Sequence, residues 1–167
     1  MQLRQYQISD TQELAFIYRD AAINTGSQVY TPEQISTWSS YPDSREEFQN
    51  RLMEGLTIVA IEHSQPVAFG QLYPQDHIAL LYTASKYNRM GYATKIYQNL
   101  ESYAIAHHVN VLRTEASRIS KHFFLKVGFE VTEVEMANFK GIIFERFKME
   151  KALNSTIAEL NSEQLIV

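Results

Sequence analysis

The sequence predicts an α/β fold (α+β by some schemes): a mixed central sheet of about six to seven strands, with a parallel splayed pair, flanked by helices. Three observations carry this expectation. Ile78-Ala-Leu-Leu-Tyr82 is a continuous apolar run, the pattern of a strand buried on both faces. After a polar turn, Ala93, Ile96, Tyr97, Leu100 and Ala104 recur at the spacing of one helical face. Val109 to Ala116 then reads as another strand, so residues 78–83, 91–107 and 109–116 make a strand–helix–strand unit, with parallel strands and a right-handed crossover.

The other elements follow in order. Leu3, Tyr6 and Ile8 alternate with polar residues, which predicts an opening strand. Asp10 caps a helix whose stripe is Leu14, Ile17, Tyr18 and Ala21, ending near Gly26. Thr31-Pro32-Glu33-Gln34 starts a second helix, with a capping hydroxyl followed by proline at the first helical position. Ser44 and Glu47 repeat that logic as a capping box ahead of Phe48 and Leu52. Thr57 to Ile61 and Val67 to Tyr73, around a turn at His63 to Pro66, read as a hairpin. A helix from about Arg118 to Val127 ends on Gly128, which suits a left-handed cap. Residues 129–134 and 142–149 close the fold as an antiparallel pair. We expect a single domain over 1–153 and a tail over 154–167, which docks, pairs between subunits or frays.

At 167 residues the chain suits one well-filled domain. Hydrophobic residues at 45% and charged residues at 20% predict a packed core. A net charge of -4 argues against a nucleic-acid surface and favours cationic partners. The absence of cysteine excludes disulfides, thiolate catalysis and cysteine-ligated zinc. No apolar run approaches the length that spans a bilayer, and residues 1–10 lack the apolar core of a signal peptide, so a cytoplasmic protein with no membrane partner is expected. His107 and His108 are adjacent and point apart, so no metal is expected.

The turn Asn88-Arg89-Met90-Gly91-Tyr92-Ala93-Thr94 carries the chemistry. Gly91 and small Ala93 let backbone approach an anion, and the start of the following helix aims unpaired N–H groups and its positive dipole end at the same spot. A pyrophosphate fits there, and Arg89 adds a charge-assisted contact.

Between a buried strand and the helix it opens, this turn resembles motif A of the GNAT superfamily of N-acetyltransferases, Gln/Arg-x-x-Gly-x-Gly/Ala, with Asn88 in place of the usual first residue. Leu81-Tyr82-Thr83 resembles the family's splayed fourth-strand segment, whose backbone bonds the pantetheine arm. Ser117 falls where many members have a pantetheine-binding Asn, and Phe123-Phe124-x-x-x-Gly128-Phe129 is similar to the family's Phe-Tyr-x-x-x-Gly-Phe. The stretch from Asn138 to Leu153 looks like the final strand pair of a bacterial subgroup. The resemblance spans 1–153 and is strongest over 78–129. It implies acetyl-coenzyme A as co-substrate, bound by Leu81, Tyr82, Thr83, residues 88–94, Ser117 and Phe124.

The resemblance also implies direct attack of a neutral amine on the thioester, with a small-molecule or peptide amine as acceptor. An alkyl ammonium of pKa about 10.4 must first lose a proton. Glu115 and His77 are the candidate proton acceptors, with Glu62 and Asp76 behind them; salt bridging to Arg113 or Arg118 is the other reading of Glu115. Where the family has a tyrosine as general acid this chain has Phe124, which cannot donate; Tyr82, Ser117, Ser120 or water takes that role, or none is needed. Tyr30, Trp38 and Tyr41 are expected to line the acceptor wall within 24–55, although core packing also explains them and suits Trp38 better than Tyr30. An acyl-coenzyme A-binding sensor that does not catalyse is the alternative, and either a monomer or a homodimer fits.

Overall fold

A computed structural model of the chain describes residues 1–153. The expectation for the tail at 154–167 lies outside the described residues. Strands β1 (Gln2–Gln5), β2 (Leu56–Glu62), β3 (Gln65–Leu72) and β4 (Ile78–Thr83) form one antiparallel ladder in that order. Strands β5 (Val111–Ala116), β6 (Glu130–Phe139) and β7 (Ile142–Ala152) form a second, with β7 in the middle. The helices are α1 (Thr11–Asp20), α2 (Pro32–Ser39), α3 (Arg45–Met53), α4 (Tyr92–Ala106) and α5 (Lys121–Lys126). Among the described residues no helix is long and apolar enough to cross a membrane.

The seven strands match the expected number, and β4 and β5, the expected splayed pair, share no ladder. β4 and β5 meet in a single parallel bridge, His77 to Arg113. There Arg113 N–H donates to the Asp76 carbonyl at 2.8 Å and the Thr114 hydroxyl to the Ile78 carbonyl at 2.9 Å. Just beyond, the β3–β4 register slips between Leu72↔Ile78 and Gln71↔Leu80, leaving Ala79 as an extra residue. A bulge of this kind bends the strand and increases its twist, which turns β4 away from β5. The two ladders are therefore joined at one end and open at the other.

Each face of the assembly carries its own core. Ile96, Tyr97, Leu100 and Ala104 of α4 pack with Ile58, Leu72, Ile78, Leu112, Phe124, Phe129 and Met149. Leu14, Ile17 and Tyr18 of α1 and Phe48 and Leu52 of α3 pack with Val59, Phe69 and Leu80 on the other side. Each fully buried side chain of this size contributes about 1.5–3 kcal/mol. In β5 the alternation is strict: Leu112, Thr114 and Ala116 are buried, while Arg113 and Glu115 face outward on the α1 side.

The final hairpin is longer than its apolar pattern predicts, running to Phe139 and Ala152, and cross-strand ion pairs line it. Lys148 reaches Glu133 at 2.9 Å and Arg146 reaches Glu135 at 2.6 Å. Asp10 also differs from the expectation. Its carboxylate turns back to accept from Gln7 N–H at 2.8 Å and from both terminal nitrogens of Arg4, so it caps the short turn before α1 rather than α1 itself.

At α2 the expected cap is complete: Thr31 Oγ1 accepts from Gln34 N–H at 3.2 Å, and the Gln34 side chain accepts from Thr31 N–H at 3.1 Å. Thr31→Ala should cost about 1 kcal/mol, lowering Tm by about 2–4 °C in a domain of this size. A thermal melt monitored by circular dichroism checks this. At Ser44 half the box forms, the hydroxyl accepting from Glu47 N–H.

Candidate active site

The opening between β4 and β5 positions the site. Past Ile78, among the described residues, no backbone bond joins β4 to β5, so alternate peptide groups of residues 79–83 face the gap unclaimed. The Thr83 hydroxyl is buried and has no partner among the described residues.

The turn leading into α4 sits at the mouth of this opening. Gly91 adopts φ +86°, a left-handed conformation, and a Cβ built on it meets nothing within 4 Å. The first helical bond is Lys95 N–H to the Gly91 carbonyl at 3.1 Å, and no side chain caps the helix, so among the described residues Tyr92, Ala93 and Thr94 N–H have no acceptor. Three free amides, an open glycine and exposed Arg89 fit a pyrophosphate. Met90 is exposed beside them and Ala93 is half-buried, whereas the Tyr92 side chain turns into the core.

Asn88 is used differently. Its side-chain amide donates to Thr25 Oγ1 at 3.0 Å, and nearby Ser85 donates through its N–H and its hydroxyl to the Asp20 carboxylate. The turn is thereby tied to the end of α1 and the wide helical turn Ala21–Thr25 that follows it. Nothing in the local sequence signals this link, since its partners are about 65 positions apart.

Ser117 and Ser120 also serve structure. Each hydroxyl accepts the other residue's N–H, at 3.0 and 2.9 Å, and the two hydroxyls lie 3.0 Å apart, which shapes the turn before α5. Phe124 is buried between Phe123 and Phe129, with ring centroids 5.4 and 5.1 Å away, so this position offers an apolar wall and no proton.

The expected proton acceptors separate clearly. Glu62 pairs with the Met1 amino group at 3.0 Å, and Asp76 pairs with Arg113. His77 and Glu115 instead find each other, Nε2 to Oε2 at 2.6 Å, at the point where β4 and β5 part. The other ring nitrogen, Nδ1, lies 3.3 Å from the Tyr73 carbonyl. Both ring nitrogens thus face acceptors, which is satisfied only when both carry hydrogen. Consistently, the bond to Glu115 raises the His77 pKa above its ordinary 6.5, against the effect of burial, and the same bond lowers that of Glu115 below 4.5. His77 therefore keeps no open lone pair, while Glu115 Oε1 has no partner among the described residues.

Aromatic rings wall the α1 side of the opening. Tyr82 lies against Tyr18 at 4.3 Å and Phe69 at 5.6 Å, and its hydroxyl accepts the Trp38 indole N–H at 3.2 Å. Tyr30 packs edge-on to Trp38 at 5.4 Å and beside Phe144 at 6.0 Å. Tyr41 stacks on Tyr18 at 5.3 Å. The expected order of burial is reversed: Tyr30 is 8% exposed, while Trp38 is only half-buried. The reason is that the Tyr30 hydroxyl accepts Arg118 N–H at 3.0 Å, which draws the ring under α2. Tyr18 and Phe144 belong to this wall and lay hidden in the sequence as an ordinary helical stripe and a strand position. Among the described residues no group of three or more His, Asp or Glu gathers as a metal site; His107 stacks on Tyr103 instead.

Free amides at the start of a helix, beside two strands that part, can receive an extended anionic ligand. The chain belongs to the GNAT acetyltransferases: the model of the acetyltransferase (GNAT) domain family matches residues 27–153. It is 32% identical over 149 residues to the uncharacterized N-acetyltransferase YafP of Escherichia coli K12, covering 89% of this chain and 94% of that protein. Among solved structures, a GCN5-related N-acetyltransferase of Rhodopseudomonas palustris superimposes with TM-score 0.89 at 29% identity, over 91% of this chain and 95% of that one. The PaiA N-acetyltransferase of Thermoplasma acidophilum, solved in complex with coenzyme A, shares the fold with TM-score 0.74 at 20% identity, over 91% and 98%.

Proposed function

We propose that this protein transfers the acetyl group of acetyl-coenzyme A to a primary amine of a small molecule or peptide by direct attack. The observation that carries this reading is the β4–β5 opening, with unclaimed amides at the α4 end and Glu115 Oε1 open on the α1 side. Acetyl-coenzyme A supplies the acetyl group as a thioester.

In this reading Tyr92, Ala93 and Thr94 N–H and Arg89 hold the diphosphate, and the peptide groups of residues 81–83 align the pantetheine arm. Glu115 takes the proton that the amine must lose, directly or through one water, and His77 holds that carboxylate in place. The Tyr30, Trp38, Tyr41 and Tyr82 wall receives the apolar part of the acceptor. The protein's net charge of -4 favours a cationic amine as it approaches.

The purified protein can be incubated with acetyl-coenzyme A and a panel of small amines and peptides while free thiol is followed. Thiol release that depends on one class of amine is the expected result. Tight coenzyme A binding without amine-dependent release on any panel member would instead make the protein an acyl-coenzyme A sensor.

A further inference from the structure

Breaking the thioester leaves a thiolate, and the hydroxyls around the opening differ in their freedom to protonate it. Ser117 and Ser120 are committed to each other and to each other's amides. Phe124 has no proton to give. Tyr82 also accepts an N–H, from the Trp38 indole, but it belongs to β4, the strand that aligns the donor, and its ring lies in the wall against Tyr18 and Phe69.

Tyr30 stands apart. An amide N–H can only donate, so in its 3.0 Å bond with Arg118 N–H the Tyr30 oxygen is the acceptor. Its own proton has no acceptor among the described residues, although the residue is 8% exposed. The position of Tyr30 suits a proton donor, because Arg118 follows Ser117 just beyond the end of β5, and Trp38 joins Tyr30 to Tyr82 of β4. The hydroxyl thus lies on the β5 bank of the gap, opposite the strand that aligns the donor.

We infer that Tyr30 is the proton donor to the leaving sulfur of coenzyme A, a role carried by the segment between α1 and α2 instead of by α5. The inference rests on the acetyl-transfer reading above. The amine nitrogen bonds to the carbonyl carbon and the C–S bond breaks with its electron pair going to sulfur. The Tyr30 proton passes to that sulfur as the amine proton passes to Glu115. Tyrosinate and Glu115 then exchange with solvent, so amine and thioester give amide and thiol with nothing left over.

Tyr30→Phe removes only the hydroxyl. The expected result is a fall in kcat of about 100-fold. A binding readout separates this role from a structural one. Calorimetry across pH 7 to 9 should show wild-type affinity for coenzyme A rising with pH, because the bound thiolate is stabilised, while affinity for desulfo-coenzyme A stays flat. In Tyr30→Phe the coenzyme A curve should flatten to match the desulfo curve. Unchanged kcat, or an unchanged pH dependence of coenzyme A binding, overturns the inference. Should Tyr30→Phe fold poorly, 3,5-difluorotyrosine at position 30 keeps the ring and hydroxyl with a more acidic phenol. It should move the alkaline limb of kcat to lower pH, and an unmoved limb overturns the inference. If the wild-type protein neither binds coenzyme A nor releases thiol, the acetyl-transfer reading itself fails; if it does both and Tyr30→Phe changes nothing, only this inference fails.

Discussion

Replacing Gly91 with valine is expected to weaken coenzyme A binding about 100-fold or more while leaving the protein folded. The space a Cβ would enter is empty of protein atoms, so the substitution causes no clash within the fold. Gly91 is the N-cap of α4, next to the free N–H groups of Tyr92, Ala93 and Thr94, so a branched side chain there is expected to keep a diphosphate from reaching them. A 100-fold loss corresponds to about 2.7 kcal/mol. The substitution also forces a β-branched residue to φ +86°, at a cost of about 1–3 kcal/mol of stability. Gly141, in the β6–β7 turn, supplies the control. It has φ +83° and equally open surroundings, so Gly141→Val should cost similar stability and leave affinity intact. Isothermal calorimetry with coenzyme A, paired with thermal melts, reads both quantities. Equal affinity in Gly91→Val and wild type would move the phosphate site elsewhere.

Glu115→Gln is expected to lower kcat by about 10²–10⁴-fold with coenzyme A affinity unchanged, because an amide of the same shape cannot accept the amine proton. His77→Gln should cost less, since it loosens the carboxylate without removing it. The pair also sets a pH dependence of stability. His77, with its pKa raised, contributes stability that is fully present below 6.5 and is lost as pH rises through its folded value. Glu115, with its pKa lowered, contributes stability present above 4.5 and lost as pH falls through its folded value. The stability advantage of wild type over His77→Gln should therefore be greatest between 4.5 and 6.5 and shrink at alkaline pH. With side chains 23% and 34% exposed, that advantage is about 1 kcal/mol or less. Melts at pH 5.5 and pH 9 measure it. Full kcat in Glu115→Gln would remove this carboxylate from the reaction.

Most elements were readable from the sequence because their signals are local. The stripe Ile96, Tyr97, Leu100 and Ala104 is a helix face whatever surrounds it, and it is buried as expected. The β2–β3 hairpin, the Thr31 cap and the glycine of the α4 turn each follow from residues within a few positions of one another. Asp10 was misplaced by one turn because its capping depends on Arg4, six residues earlier, folding back to share the carboxylate.

The site divides in the same way. Local sequence marked the buried strand and the helix that follows it, since helical periodicity acts over a few residues, and it marked the turn at 88–94 as a candidate anion cradle only together with them and the Phe123 to Phe129 match. It also singled out Glu115 and His77 as titratable groups. That these two pair with each other, that Asn88 serves Thr25, and that Tyr30 reaches Arg118 emerged only once the chain had folded. Those contacts join residues 38, 63 and 88 positions apart. The parting of β4 from β5 was expected only through the resemblance of Leu81-Tyr82-Thr83 to a splayed strand; physically it depends on one bulge and on where the last cross-strand bond falls, and neither leaves a mark in the apolar pattern.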